Sequence, residues 1–435
     1  MIGKASLLLI LGFSLIFLVF GHRFGSLTNQ AVDNMTNYYA ETVSQNCADA
    51  GANMAANKVF LNNKWRTGFS NLSFNGGEIN VNVQNIYSYG DSLIKITSQG
   101  ICEGITHKSV VLLRPSSFSK FAYYSIFEND PDGNTIWWMA KDTVWGPFHT
   151  QDYMHVDNHP VFHGKVTTGK SNLIYKNNEK NDYPVIDGDF QTNIDLPLPY
   201  DGIAKLKSVA KSGGKDIPQS STTTTTTTGH GSNTSTTTTT NTDTVYITFI
   251  KDSIQIKMGI AKPAITYKTS EFSPNGVIFA EGMDIHLQGT LQGQYTIGSD
   301  ENIYLDGNIE YNTDPQTDPT STNILGICAQ KNVLIADNTK KKLDINIDAA
   351  IYCQEAGFGV ENYDKGAPKG IINLLGGITQ YIRQPVGLYS VDKNGKSKIE
   401  HGYSKRYRYD NRLSSMSPPF YPNTGKFEVV SWLEE

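Results

Sequence analysis

A five-residue phrase recurs along this chain: an apolar residue, any residue, Gly or Ala, any residue, and a second apolar residue. It reads Phe162-His163-Gly164-Lys165-Val166 and Ile186-Asp187-Gly188-Asp189-Phe190. It returns as Leu287-Gln288-Gly289-Thr290-Leu291 and Leu305-Asp306-Gly307-Asn308-Ile309, then as Ile347-Asp348-Ala349-Ala350-Ile351 and Leu374-Leu375-Gly376-Gly377-Ile378. The copies at Leu287 and Leu305 stand 18 residues apart, and at that offset Val277, Phe279, Ile285 and Leu287 map onto Tyr295, Ile297, Ile303 and Leu305. A fixed offset of about 20 residues between short strands is what one coil of a β-solenoid needs. Alternate apolar residues then point inward, and the glycine lets the backbone turn without a Cβ clash.

The bulk numbers agree with such a body. The 435 residues are 38% hydrophobic and 18% charged, with a formal net charge of −5. That composition is polar but foldable, and it carries no basic excess, so nucleic acid is not an expected partner. Four cysteines, Cys47, Cys102, Cys328 and Cys353, allow two disulfides in an exported protein, with three pairings open. None forms a C-x-x-C pair, which speaks against a zinc or redox site, and buried free thiols are the alternative.

The N-terminus reads as an address and an anchor. From Ala5 to Phe20 the chain is apolar apart from Ser6, Gly12 and Ser14. Those 16 residues fall just short of the ~20 that span a bilayer as a helix, and His22 and Arg23 can extend the span by snorkelling. Three readings compete: a signal peptide cleaved near Val19-Phe20-Gly21, an uncleaved single-pass anchor, and a filament-forming N-terminal helix. Continuation into an amphipathic helix favours the last two. Ala31, Met35, Tyr39, Val43, Cys47, Ala50 and Met54 recur every three or four residues, a narrow stripe on a helix running to about Phe60. Together the two segments predict a rod of ~55 residues, ~80 Å long. The assembly surface would be Leu7, Leu8, Leu9, Leu11, Phe13, Leu15, Ile16, Phe17, Val19 and Phe20.

This apolar helix, merging into Tyr39-Ala40-Glu41 and Cys47-Ala48-Asp49-Ala50-Gly51-Ala52-Asn53, resembles the start of type IV pilin-like proteins, especially PilX-like minor pilins. The departures are specific. Prepilins carry a leader ending in Gly before an apolar residue and a Glu at the fifth mature position; here Gly3 precedes Lys4, and Leu8 stands where that Glu would be. The resemblance implies a cell-envelope protein, anchored in the inner membrane before assembly and extracellular when assembled. Its partners would be the membrane or neighbouring pilin-like helices, in a homo- or hetero-oligomeric filament. The missing Glu points to a minor, initiating or non-standard subunit.

The expected organisation is mainly β with one long N-terminal α-helix, a pilin-like α+β module followed by a right-handed parallel β-helix. Residues 1–65 form the membrane or filament-core helix, and 66–120 a small antiparallel module laid against it. Residues 121–216 form the first β-helix part, ending in a helix with Ile203, Leu206, Val209 and Ala210 on one side. Residues 217–244 are a Thr-rich low-complexity insertion that cannot build a core. Residues 245–400 carry the coils. Residues 401–435 are an aromatic and Pro-rich tail whose last strand, Phe427 to Leu433, closes the fold or caps the open solenoid edge. The body resembles a bacterial envelope domain family built as a right-handed β-helix behind pilin-like N-termini. The matching residues are Gly146-Pro147-Phe148-His149-Thr150, Pro160-Val161-Phe162, Gly164-Lys165-Val166-Thr167 and Tyr407-Arg408-Tyr409-Asp410-Asn411-Arg412 with Pro418-Pro419. That resemblance implies architecture and envelope location only.

Chemistry is sparse. His149, His155, His159 and His163 lie close in sequence with Asp152 and Asp157 among them, the residue types that hold zinc. Prolines 147 and 160 and the strand-like Val161-Phe162 argue against the helix that would gather them. Asp187, Asp189, Asp284 and Asp306 are the carboxylates a β-helix glycosidase would use, yet two of them occupy the same slot of the repeated phrase, as solvated turn positions do. Clustered basic residues near these carboxylates are not expected. Gly213-Gly214-Lys215 is too short to cradle phosphate. The reading is therefore a structural, surface-exposed subunit or adhesin, with no enzymatic activity, metal or cofactor expected. The alternative is a secreted or anchored β-helix that binds or cleaves polysaccharide, with Trp137, Trp138 and Trp145 stacking on sugar rings.

Overall fold

The computed structural model describes residues 2–88, 91–139, 142–228, 235–260, 262–337, 343–391 and 397–435. They fall into two compact units, one of residues 1–88, 92–115 and 426–435, the other of residues 89–91 and 116–425.

In the first unit no proline interrupts the helix Ile2–Leu61, which at 60 residues is ~90 Å long. Only its second half is packed. Ala40, Val43, Cys47, Ala52, Ala55 and Val59 recur every three to five residues and meet Ile79, Val81, Ile96, Val111 and Leu113 of the sheet. The expected stripe is thus corrected at its start: Met35 and Tyr39 are exposed, and contact begins at Ala40. Small residues decide this face because the helix backbone runs close to the sheet. A Cβ on Gly100 would lie 2.0 Å from the Ser44 carbonyl oxygen, and one on Gly51 2.5 Å from Ile79 Cγ2. The sheet runs in the order Phe69–Phe74, Gly77–Ser88, Asp91–Cys102, Ile105–Ser117, Asn423–Glu434. The meander between residues 70 and 114 is as the sequence predicts. The final strand is not: it pairs beside Ile105–Ser117 instead of closing the repeat body. Backbone bonds between Lys108 and Glu435, 2.9 and 2.7 Å, hold it there.

The second unit is built from parallel ladders. One runs Lys215–Ile217, Val277–Ala280, Gln294–Ser299, Ile324–Ala329, the end of Ile345–Cys353, the end of Pro368–Ile382, Tyr123–Phe127, Phe148–Thr150, Val166–Thr168, Phe190–Gln191. A second joins Val245–Lys251, Ile285–Leu291 and Ile303–Tyr311, continues through Ile345–Cys353, Pro368–Ile382 and Ser397–Arg408, and ends on Thr143–Trp145, Val161–Phe162 and Val185–Ile186. The repeated phrase stacks on itself: Phe162 pairs with Ile186, Leu287 with Leu305, Ile347 with Leu374 and Ile351 with Ile378. Most of its glycines sit where backbones touch. A Cβ on Gly188 would lie 2.4 Å from the Gly164 carbonyl oxygen, and one on Gly164 2.2 Å from that of Gly146.

The stacking order differs from the chain order. Tyr123–Phe127 enters beside Pro368–Ile382, in the middle of the stack, and residues 148–191 build outward from there. The chain resumes at the opposite end with Lys215–Ile217 and returns to the middle. The helix Gly202–Gly213 lies on the crossing that leads to Lys215–Ile217 and buries Ile203, Leu206 and Ala210, as its spacing predicts.

The 18-residue offset holds for half of its pairs. Ile285 faces Ile303 and Leu287 faces Leu305, but Val277 pairs with Thr296 and Ile278 with Ile297. The slip arises because Val277–Ala280 is buried on both faces. Ile278 and Ala280 join the inner core, whereas Val277 and Phe279 pack outward under Leu206 and Ala210. A strand covered on both sides loses the alternation that would mark its register. Within the Thr-rich tract, Ser221–Thr228 and Ser235–Thr242 pair antiparallel as a two-stranded ribbon; residues 229–234 of that tract lie outside the described residues.

Candidate functional sites: an exposed apolar helix end and an aromatic cavity

The expected assembly surface is exposed along its whole length. Leu7, Leu8, Leu9, Leu11, Phe13, Leu15, Ile16, Phe17, Val19 and Phe20 are 51–72% exposed. Leaving such side chains in water costs about 1.5–3 kcal/mol each relative to burial. A contiguous patch of this kind marks a membrane or protein interface. Among the described residues this helix is the one long and apolar enough to cross a membrane.

The four histidines do not converge. His149 is buried, its Nδ1 2.8 Å from Thr167 Oγ1 and its ring stacked on Tyr124. His155 meets the Trp137 ring, His159 Nδ1 lies 2.9 Å from the Tyr183 carbonyl oxygen, and His163 Nδ1 lies 2.6 Å from Asp187 Oδ2. Among the described residues no three His, Cys, Asp or Glu side chains are grouped to hold a metal.

The four cysteines are buried free thiols rather than disulfides. Cys47 Sγ turns to the Phe74 carbonyl oxygen and Cys102 Sγ to that of Gly76. Cys328 pairs in register with Tyr352, and Cys353 with Ala329. One residue of offset puts the last two thiols on opposite faces of the sheet, so they cannot be bridged.

The second unit holds a cavity of about 760 Å³ lined by Trp137, Trp138, Tyr363, Tyr389, Arg383 and Lys405, among others. Beneath its lining lies an ion pair taken out of water, of which Arg383 borders the space. Arg383 Nη1 donates to Glu128 Oε2 at 3.0 Å, with the two side chains 5% and 0% exposed. Glu128 is otherwise saturated: Oε2 also accepts from Trp138 Nε1 at 2.8 Å, and Oε1 from Tyr123 Oη at 3.0 Å and from Ser125 Oγ. The guanidinium lies 4.1 Å from the Trp138 ring centroid. Burial pushes the Tyr123 phenol well up and the Lys405 amine down, the latter opposed by Asp142 at 3.5 Å. Trp138 is therefore a buried wall, Trp137 borders the open space, and Trp145 stacks on His163 elsewhere. The sequence offered no route to Glu128 with Arg383, which are 255 residues apart and meet only because the stack is entered in its middle.

A shallower groove of about 370 Å³ crosses four strands. One register row reads Asn346, Asn373, Arg406 and a second reads Asp348, Leu375, Arg408. Arg406 and Arg408 thus lie with Asp348 and Glu310, which are not among the candidate carboxylates. Asp348 Oδ2 accepts from the Tyr311 N–H at 2.9 Å, yet burial, with acidic neighbours, pushes its carboxyl up to about 7. The four acidic candidates are held apart. Asp187 faces His163, Asp189 lies 3.8 Å from Lys165, Asp306 lies 2.7 Å from His286, and Asp284 accepts from Asn302.

Neither a protein-family model nor a curated protein sequence matches this chain. Among solved structures, the chain aligns with the competence-associated pilin ComZ from Thermus thermophilus, over 90% of this chain and 97% of that one. The identity is 12% and the TM-score 0.37, too low to carry fold or function across.

Proposed function

We propose that this chain is a membrane-anchored structural protein of the pilin-like class, with a β-solenoid body turned outward as a filament subunit, minor pilin or adhesin. The observation that carries the reading is the division of one continuous helix. From Ala40 onward it is packed on its own sheet, while residues 5–20 present apolar side chains to nothing within the chain. Hydrocarbon before assembly and the apolar helices of neighbouring subunits afterwards would each satisfy that surface. The protein then lives in the cell envelope, on the inner membrane first and outside the cell once assembled, without enzymatic activity.

Leu9→Glu and Ile16→Arg test this reading. A charge at mid-span costs about 2.5–3.5 kcal/mol by insertion scales, so both variants should leave the membrane fraction and sheared filaments. Normal assembly of either variant sinks the reading. A second reading, a carbohydrate-binding body, is favoured by the aromatic cavity. A soluble mature protein beginning near His22, found by mass spectrometry, would replace the first reading with this one.

A further inference from the structure

We propose that the cavity of the second unit binds a sugar unit bearing a carboxylate, its ring against Trp137, Tyr363 and Tyr389 and its carboxylate on Lys405. This rests on the carbohydrate-binding reading of the body and does not depend on how the N-terminal helix is used.

The size is right: about 760 Å³ lies within the range of small-ligand sites, which are mostly apolar with a few convergent polar groups. Trp137, Tyr363 and Tyr389 line the space and are partly exposed, so flat faces remain for the C–H side of a pyranose.

Charge selects the ligand. Glu128 is consumed by four donors beneath the lining. Asp130 accepts from the Asp132 and Asn134 N–H groups and from Asn134 Nδ2. Asp142 accepts from the Met139 N–H at 3.0 Å, and its contact with Lys405 Nζ is 3.5 Å, longer than the 2.7–2.9 Å of a charge-assisted bond. Arg383 is answered by Glu128, so Lys405 is the lining cation whose partner stands off. A carboxylate from outside would supply the close contact that Asp142 does not, and would favour the charged form of the amine. A neutral sugar would leave Lys405 as it is.

The experiment uses the full chain in detergent, titrated calorimetrically with a galacturonic acid hexamer and with a galactose oligomer of equal length. The acidic oligomer should bind at least about tenfold more tightly. Lys405→Met and Trp137→Ala should each weaken it about tenfold or more. Arg406→Gln with Arg408→Gln, in the other groove, should change nothing. In the unmutated protein the acidic oligomer should protect Lys405 from acetylation, a readout that needs no variant to fold.

Equal affinity for both oligomers overturns the proposal while sparing the carbohydrate reading. Failure of both to bind overturns the two together. Loss of binding in the Arg406/Arg408 variant, or acetylation of Lys405 unaffected by ligand, also overturns it.

Discussion

Asp348 carries a cost that depends on pH. Its carboxyl sits near 7 in the folded protein against about 3.9 in an unfolded chain, chiefly because burial disfavours the charge. A folded value raised above the unfolded one means that the fold prefers the protonated form. The stabilisation is complete below about pH 4 and is lost as pH rises through 7. Asn at this position keeps an acceptor for the Tyr311 N–H and cannot ionise. Asp348→Asn should match the parent at about pH 4 and exceed it by about 1–3 kcal/mol at about pH 8, read as a widening gap in thermal midpoint. An unchanged gap across that range would show that Asp348 is not the residue penalised. The Glu128–Arg383 pair makes the opposite case, since its charges satisfy one another. Arg383→Met alone strands a buried carboxylate and should cost about 3–5 kcal/mol in denaturant unfolding. Adding Glu128→Gln should recover part of that loss. In the sequence Asp348 was visible only as one more residue in a turn slot, because its surroundings come from strands far along the chain.

Stacked elements are held by a relay in the turns just before Ile285, Ile303, Val333 and Phe358. Asp284 Oδ1 accepts from Asn302 N and Nδ2 at 3.0 and 3.2 Å, and Asn302 Oδ1 accepts from Asn332 N and Nδ2, both at 3.2 Å. Asn332 Oδ1 in turn accepts from Gly357 N and Gln384 Nε2. An amide passes the relay on because it both accepts and donates; an Asp can only begin it. Asn302→Ala removes both links at once and should cost about 1–3 kcal/mol, measured by the thermal midpoint. No loss would mean that water replaces the relay. At this scale the repeat was legible, because glycines at backbone contacts and alternating apolar residues leave a periodic mark. The residues Asp284, Asn302 and Asn332 fall at offsets of 18 and 30, since the loop of residues 312–322 lengthens one repeat, and the relay is hidden from a search at fixed period. The helix stripe was misread for a related reason. Its contact face is mostly Ala, with Gly51 and Ser44, and small residues carry little hydrophobic signal against Met35 and Tyr39, which stay exposed.

For the whole molecule, sequence order and spatial order part company, and that is where reading along the chain fails. The last strand pairs in the first unit although its sequence follows the second, and residues 123–191 stack beyond strands that come later in the chain. Alternation shows that a strand has a buried face but not which strand covers its edge. The outcome is that the core of the first unit shares no residue with the two clusters of the second. Ile96 is buried among Val43, Cys47 and Val111, whereas Ile303 is buried among Ile285, Leu305 and Val333. Truncation of either should cost about 2–5 kcal/mol. If the units fold on separate cores, calorimetry of the protein in detergent should resolve two transitions. Ile96→Ala should lower one and Ile303→Ala the other, and hydrogen exchange should speed up only in the unit that carries the lesion. A common downward shift of both transitions in each variant would mean that the strands shared at residues 105–117 and 423–434 couple the two cores. The same pair of variants bears on assembly. A lesion at Ile96 loosens the sheet beneath the packed half of the helix, so it should reduce recovery in sheared filaments at growth temperature. Ile303→Ala, in the other unit, should leave recovery intact while weakening whatever the body binds.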